Sequence, residues 1–371
     1  RDCAADSAEV AADCSIVERT SSDLAAILYT SGSTGRSKGA MLSHGNLASN
    51  AQTLHQLWGF HQSDVLLHAL PIFHVHGLFV AINVAMLNGS KMLFLEKFAT
   101  DVVLEQLPTA TVMMGVPTFY TRLLESSSFG HEQFAHMRLF ISGSAPLTEQ
   151  TFEAFLTHTG DRILERYGMT ETGMITSNPL HGERIAGTVG FALPGVEIRV
   201  SDEDGVIVQA GEVGTVEVKG PNVVSGYWKM PEKTAQEFRG EGWFITGDLG
   251  KIDKEGRLSI VGRAKDLIIS GGYNVYPKEI ELCLDALEEI AESAVVGVPH
   301  PDFGEAVVAV CVASAQKQTD ADILLQCLDN QLAAFKRPKA LFFTDDLPRN
   351  AMGKVQKNQL RDSYKNYFIK S

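Results

Sequence analysis

The chain has 371 residues, past the size at which one hydrophobic core usually stops growing, so two or more domains are expected. Its formal charge of -13 argues against a nucleic-acid surface, which needs an excess of Lys and Arg, and leaves room for a small anion held in a locally basic cleft. Apolar runs such as residues 24–28 and 78–87 fall short of the roughly 18 to 20 residues of a membrane helix, so no span is expected.

In chain order, residues 1–22 are small, polar and acidic and read as a linker or peripheral segment. Neither a starting Met nor a charged-then-apolar leader is present, and the expectation is an excised fragment or a shortened form. Residues 24–29 predict a buried strand that delivers the Gly-rich stretch "TSGSTGRSKG", and residues 44–60 predict a helix. "DVLLHALPIFHVHG" then reads as a strand running into a loop with His68, His74 and His76. "GSKMLFLEKF", "TATVMMGVPTFY" and "HMRLFISGSAPL" repeat a short β-rich run ending in Gly, Pro or Ser, with helices between or after them, such as residues 148–158. The fold class is therefore α/β, with ligand loops at strand ends.

From 182 to 262 the texture changes to short strands separated by Gly and Asp turns, an antiparallel β-rich subdomain. Beyond Lys265, "EIELCLDALEEI", "SAVVGVPH", "VVAVCVAS" and "ADILLQCLDNQLAAF" alternate helix and strand in a compact C-terminal unit. The cysteines (Cys3, Cys14, Cys283, Cys311, Cys327) are odd in number and scattered, which suits neither a disulfide framework nor a zinc site. A reducing compartment is the default, the cytoplasm in the absence of signals, with an organelle open if a transit peptide was removed.

In the Gly-rich loop, Gly32, Gly35 and Gly39 let backbone N–H groups turn toward an anion, while Ser31, Ser33, Thr34 and Ser37 offer hydroxyls and Arg36 and Lys38 offer charge. The GxxxxGK[ST] pattern of P-loop NTPases fails, because Gly32 is followed five residues later by Ser37. Composition alone leaves a phosphate cradle and a Gly/Ser-rich surface loop both open.

"YTSGSTGRSKGAMLSH" resembles the phosphate-loop signature of the adenylate-forming superfamily of acyl-CoA and aryl-CoA ligases. "RYGMTE" (166–171), "TGD" (246–248), "GRAKDLIISGGYNVYPKEIE" (262–281) and "LPRNAMGKVQK" (347–357) follow in the family's order. The resemblance implies an AMP-binding large domain over residues 23–264, lacking part of its N-terminal portion, and a small mobile α+β domain over 265–371. It implies ATP, Mg2+ and coenzyme A, with an acyl-adenylate as intermediate. By the same resemblance Thr30, Ser31, Gly32, Ser33, Thr34, Gly35 and Lys38 wrap the phosphates, and Glu171 holds Mg2+, a hard cation suited to carboxylate and phosphate oxygens. Tyr167 with Gly143, Ser144 and Ala145 flanks adenine, near Thr170, and Asp248 accepts the ribose hydroxyls. Arg263 steadies the nucleotide, and Lys354 bridges carboxylate and phosphate during adenylation. Lys265 is the hinge about which the small domain rotates, Gly271 and Gly272 line the thiol tunnel, and Lys336 and Arg337 are candidates for the CoA phosphates.

Arg138 and Arg184, with His74, Ser142 and Met169, read as a pocket for an acid with a second carboxylate, because each arginine can grip one in a bidentate way. This combination is similar to malonyl-CoA synthetases, which implies malonate and, by tolerance at its C2, methylmalonate. The alternatives are another acyl or aryl acid, an inactive shortened nucleotide-binding form, and, for Arg138, an ion pair with a local acid such as Glu132. A zinc site at His74 and His76 is disfavoured for want of a third ligand. The oligomeric state is left open; the partners implied are small molecules.

Overall fold

The computed structural model describes residues 16–30, 37–314, 320–329, 331–350 and 353–369. The short apolar runs form strands Val65–His68, Lys91–Phe94, Val112–Gly115 and Leu139–Ser142, which pair in parallel. Leu164–Met169 joins them in parallel through Ile141 opposite Leu164 and Ser142 opposite Glu165. Gly173–Ser177 and Phe191–Ala192 complete a seven-stranded sheet in antiparallel sense.

The central strands read as near-continuous apolar runs because helices cover the sheet, and Leu66, Leu67, Val112, Met113, Phe140 and Ile141 are buried. Those helices start where the sequence supplies caps. Ser43 and Asn46 form a reciprocal capping box at His44–Leu57, and the Thr148 hydroxyl accepts from Thr151 N at the start of Glu149–Thr159. Gly160, at φ 79°, ends the second helix in the left-handed conformation. The carboxyl ends of four parallel strands, His68, Gly115, Ser142 and the residues after Glu165, therefore lie along one edge of the sheet. Ligands of open parallel sheets bind there.

The strand Leu24–Thr30 differs from the sequence reading. Among the described residues it pairs only with Lys38–Ser43, as a two-stranded antiparallel hairpin, and Leu24 and Tyr29 are 45% and 68% exposed. One face packs through Ala26 and Leu28 against Ala40, Leu42, Val224 and Tyr227.

The β-rich subdomain is a five-stranded antiparallel sheet of Glu197–Ser201, Gly214–Lys219, Phe238–Arg239, Trp243–Ile252 and Leu258–Arg263. Its register sets Asp248 opposite Arg263. A single helical turn, Ala264–Asp266, leads to the C-terminal unit, whose five-stranded sheet contains Ile268–Ser270, Tyr273–Val275, Ile290–His300, Gly304–Ala313 and Ala340–Thr344. Helices Pro277–Asp285, Ala321–Cys327 and Lys357–Tyr364 accompany it. The helix beginning at Ala321 stops at Cys327, earlier than the apolar pattern of 321–335 suggested. No helix among the described residues is long and apolar enough to cross a membrane.

Candidate active site

Two sheets meet at Tyr167. It follows the last parallel pairing of the large sheet, and its hydroxyl donates to Asp248 Oδ2 of the β-rich sheet at 2.5 Å. Arg263 Nε holds the other carboxylate oxygen, Oδ1, at 2.8 Å, as the strand register dictates. Burial and the adjacent Asp248 carboxylate push the Tyr167 phenol well above its ordinary value, so it stays a donor. Asp248 is thus an acceptor already oriented by two donors, each oxygen keeping acceptor capacity. Thr170 is half-buried in the turn between Leu164–Met169 and Gly173–Ser177.

Thr30 and Lys38 face each other at the base of the Gly-rich loop. Thr30 Oγ1 donates to Glu171 Oε1 at 3.4 Å, and the buried Tyr227 hydroxyl donates to the same oxygen at 3.0 Å. Lys38 Nζ donates to Tyr227 Oη at 3.2 Å and pairs with Glu237 at 3.3 Å. The sequence reading missed Tyr227, which sits 56 residues from Glu171 in "SGYWKM" and carries no local sign of this role. Ser31, Gly32, Ser33, Thr34 and Gly35 lie outside the described residues.

The fit to Mg2+ rests on this donor set. Both donors converge on Oε1 of Glu171, and among the described residues no group of three or more His, Cys, Asp or Glu forms a cage. One carboxylate completed by substrate phosphates and water is the usual way Mg2+ is held.

A third group of side chains gathers beyond the strand Leu139–Ser142. Arg166 is buried, and its Nε and Nη2 have no hydrogen-bond partner among the described residues. His76 Nε2 and Ser142 Oγ are likewise buried and unpartnered, while His76 Nδ1 lies 3.1 Å from Ser144 Oγ. His76 opens a π-helical segment, His76–Ala81, that departs from regular α-helix beside the site. His74 Nδ1 accepts from His76 N at 3.2 Å. Burial first, then the Arg166 charge, pull His74 down to about 4 and His76 well below the usual imidazole range. Both rings are therefore neutral at pH 7. Burial lowers Arg166 only to about 10, and it raises Glu165 to about 8, so at neutral pH a guanidinium cation stands beside a protonated carboxyl. A buried cation without a counter-ion is costly unless an anion arrives to pair with it.

The two arginines chosen from the sequence do not converge here. Arg138 Nε and Nη2 donate to Asp64 Oδ1 and Oδ2 at 2.7 and 2.5 Å, and the guanidinium also donates to the Trp58 and Gly59 carbonyls and lies over the Phe60 ring. Its partner is Asp64, not Glu132. Arg184 donates to the carbonyls of Pro179, Leu180 and Arg162 and ties down its own loop. Met169 packs against the cluster of Ile175, Val218 and Phe244. Arg166 is the arginine that the sequence reading passed over, although it stands in "RYGMTE".

In the C-terminal unit, Gly353 (φ 74°) brings its loop against Thr118 of the large domain, 3.5 Å from where a Cβ would stand. The next residue, Lys354, is exposed as a whole, yet its amine is desolvated and feels Arg263, Asp248, Asp266 and Lys265. Burial, seconded by Arg263, lowers it to about 8 against the pull of the two aspartates. Lys354 thus belongs to the Asp248 corner. Lys265 is exposed in the connecting turn, and Gly271 and Gly272, at φ 58° and 82°, form the hairpin after Ile268–Ser270. Lys336 and Arg337 are engaged internally: Lys336 Nζ bonds both oxygens of Glu279 at 2.6 and 2.8 Å, and Arg337 pairs with Asp329 and donates to the Leu332 carbonyl. Neither is the free cation that phosphate binding asks for. Ala145 lies in the loop after Ser142 with Gly143 and Ser144.

This fold, with two sheets meeting at Tyr167 and Asp248 and a small second domain that brings Lys354 to that corner, is that of AMP-binding enzymes, and the chain belongs to that family. Residues 2–228 match the AMP-binding enzyme model, and residues 279–354 match the AMP-binding enzyme C-terminal domain. Among individual proteins, the chain is similar to the ATP-bound crystal structure of MatB from Rhodopseudomonas palustris, with 59% identity and a TM-score of 0.93 over 95% of this chain and 70% of that one. It is 39% identical to a malonate–CoA ligase of Arabidopsis thaliana over 93% of this chain and 61% of the relative. It is 40% identical to a protein of Humulus lupulus called "Probable CoA ligase CCL8" over 91% of this chain and 61% of the relative. The chain thus spans about 61% of the length of these two relatives.

Proposed function

We propose that this chain carries the catalytic half-sites of a malonate–CoA ligase, joining malonate, or methylmalonate, to coenzyme A at the expense of ATP. The observation that carries the choice of acid is the buried Arg166 guanidinium, with Nε and Nη2 unpartnered at the carboxyl edge of the parallel sheet. A second carboxylate supplies two acceptor oxygens in one plane, which matches a guanidinium fork. A monocarboxylic acid with an apolar chain would leave that charge buried and unpaired. The malonate–CoA ligase among the relatives supports this reading.

The chemistry follows from where the groups sit. A carboxylate has too poor a leaving group for direct attack by a thiol, so one oxygen first attacks the α-phosphorus of ATP. The bond from that phosphorus to the β-bridging oxygen breaks, and pyrophosphate leaves. Two anions must be held together for this step, and charge develops on the phosphoryl oxygens. Lys354, with three donors on a flexible stem, bridges them; Asp248 fixes the ribose; Thr30 and the loop it opens hold the β- and γ-phosphates. Glu171, together with the phosphates, would hold Mg2+, which would supply charge neutralisation there. The CoA sulfur then attacks the acyl carbon and AMP departs. We assign this second step to the small domain rotated about Lys265, with the Gly271–Gly272 hairpin lining the thiol entrance.

Product analysis tests the reading. The protein is given ATP, Mg2+ and CoA with malonate, methylmalonate, succinate, acetate, octanoate or 4-coumarate separately, and thioesters are read by mass spectrometry. Malonyl-CoA as the dominant product supports the assignment; thioester from a monocarboxylic acid alone keeps the enzyme class and overturns the acid.

A further inference from the structure

Gly143 occupies the first position after the strand Leu139–Ser142, and the sequence gives it the role of an adenine wall. Its immediate neighbour on the other side is Arg166. A Cβ built on Gly143 would lie 2.3 Å from Arg166 Nη1, 2.4 Å from Cζ and 2.8 Å from Nε. Real Cβ atoms do not approach that closely, so any side chain at 143 and the guanidinium as placed exclude each other.

Which partner would yield is decided by what holds each. The turn is anchored twice. Gly143 N donates to the Gly115 carbonyl at 3.3 Å, and Ser144 is held at φ 71°, a region that L side chains rarely adopt, with its Oγ 3.1 Å from His76 Nδ1. The guanidinium has no such tether: Nε and Nη2 are without hydrogen-bond partners among the described residues. The flexible end of Arg166 would therefore move and the turn would stay.

We propose that Gly143 is a specificity-determining position: its missing side chain is the gap that admits the Arg166 guanidinium to the acid pocket, and so makes this chain select an acid with a second carboxylate. The inference rests on the malonate reading above, since it needs Arg166 to be the group that meets the distal carboxylate. Gly143 acts through Arg166 and is a positioning residue.

The test is a double-mutant cycle on Gly143→Ala, Arg166→Ala and the two combined, following malonate KM and ATP KM in malonate-dependent ATP–pyrophosphate exchange. Each single change is expected to raise malonate KM at least about tenfold, the loss of hydrogen bonds between charged partners. The combined variant is expected to be no worse than Arg166→Ala alone, and Arg166→Ala is expected to keep ATP KM within about threefold of wild type. Costs that multiply in the combined variant overturn the proposal, as does an unchanged malonate KM in Gly143→Ala when Arg166→Ala raises it. An unchanged malonate KM in Arg166→Ala instead sinks the malonate reading itself, and the proposal with it. Should Gly143→Ala unfold, adding Arg166→Ala must restore the melting temperature, because the clash is with that side chain; failure to restore it counts against the gap.

Discussion

Arg138 and Asp64 form a two-pronged ion pair, Nε to Oδ1 at 2.7 Å and Nη2 to Oδ2 at 2.5 Å, that joins the start of the strand Leu139–Ser142 to the loop before Val65–His68. Asp64 is fully buried, so removing its partner strands a carboxylate in the interior. Arg138→Ala should cost about 3 kcal/mol of stability. Its malonate KM at a temperature where it is folded should match wild type. Thermal denaturation and steady-state kinetics check the two halves, and a raised malonate KM with unchanged stability would return Arg138 to the substrate.

Lys354 sets a pH limit. Its amine is lowered to about 8, and bridging two anions needs the protonated form. Since the charged form is lost as pH rises through that value, kcat/KM for ATP in the adenylation half-reaction should fall above pH about 8. Lys354→Arg keeps its charge over that range, so whatever rate remains should lack the alkaline limb attributed to Lys354. A limb of the same midpoint in the arginine variant would assign it elsewhere, Glu165 being the nearest candidate, raised by burial to about 8.

Tyr227 addresses Glu171. Its hydroxyl and that of Thr30 both donate to Oε1, which turns the carboxylate and leaves Oε2 for a cation. Tyr227→Phe keeps the ring beneath Lys38, 4.4 Å from its centroid, and removes two hydrogen bonds with charged groups, the one given to Glu171 and the one taken from Lys38. Such a bond is worth about 1.5–3 kcal/mol. The Mg2+ concentration for half-maximal adenylation should rise about tenfold, and Mn2+ binding measured by electron paramagnetic resonance in the presence of ATP should weaken in parallel. Unchanged metal dependence would leave Tyr227 a core residue only.

The parts of the site legible from the sequence are those built locally. "RYGMTE", "TGD" and "NAMGKVQK" each place their residue by a turn or strand end next to it, and Tyr167, Glu171, Asp248 and Lys354 fall where the two domains and two sheets meet. Charge partners are another matter, because sequence distance says nothing about them. Asp64 is 74 residues from Arg138, and the carbonyls that occupy Arg184 become acceptors only once their loop has folded. Arg166 had a usable signal: it is the cation that falls within the strand part of "RILERYG", and alternation along the strand sends it to the face opposite Tyr167. The exposed face of Leu24–Thr30 was illegible for a related reason, since an apolar run does not say how many neighbours its strand will have.

The central claim is that Arg166 receives the far carboxylate of the acid. The direct measurement is malonate KM against ATP KM in Arg166→Lys and Arg166→Ala, with dissociation constants for ATP measured separately by calorimetry. The account predicts that malonate KM rises at least about tenfold in Arg166→Ala and that ATP binding is preserved, with the lysine variant intermediate because it keeps the charge and loses the fork. A malonate KM that is unchanged in both variants while the protein remains folded would contradict it.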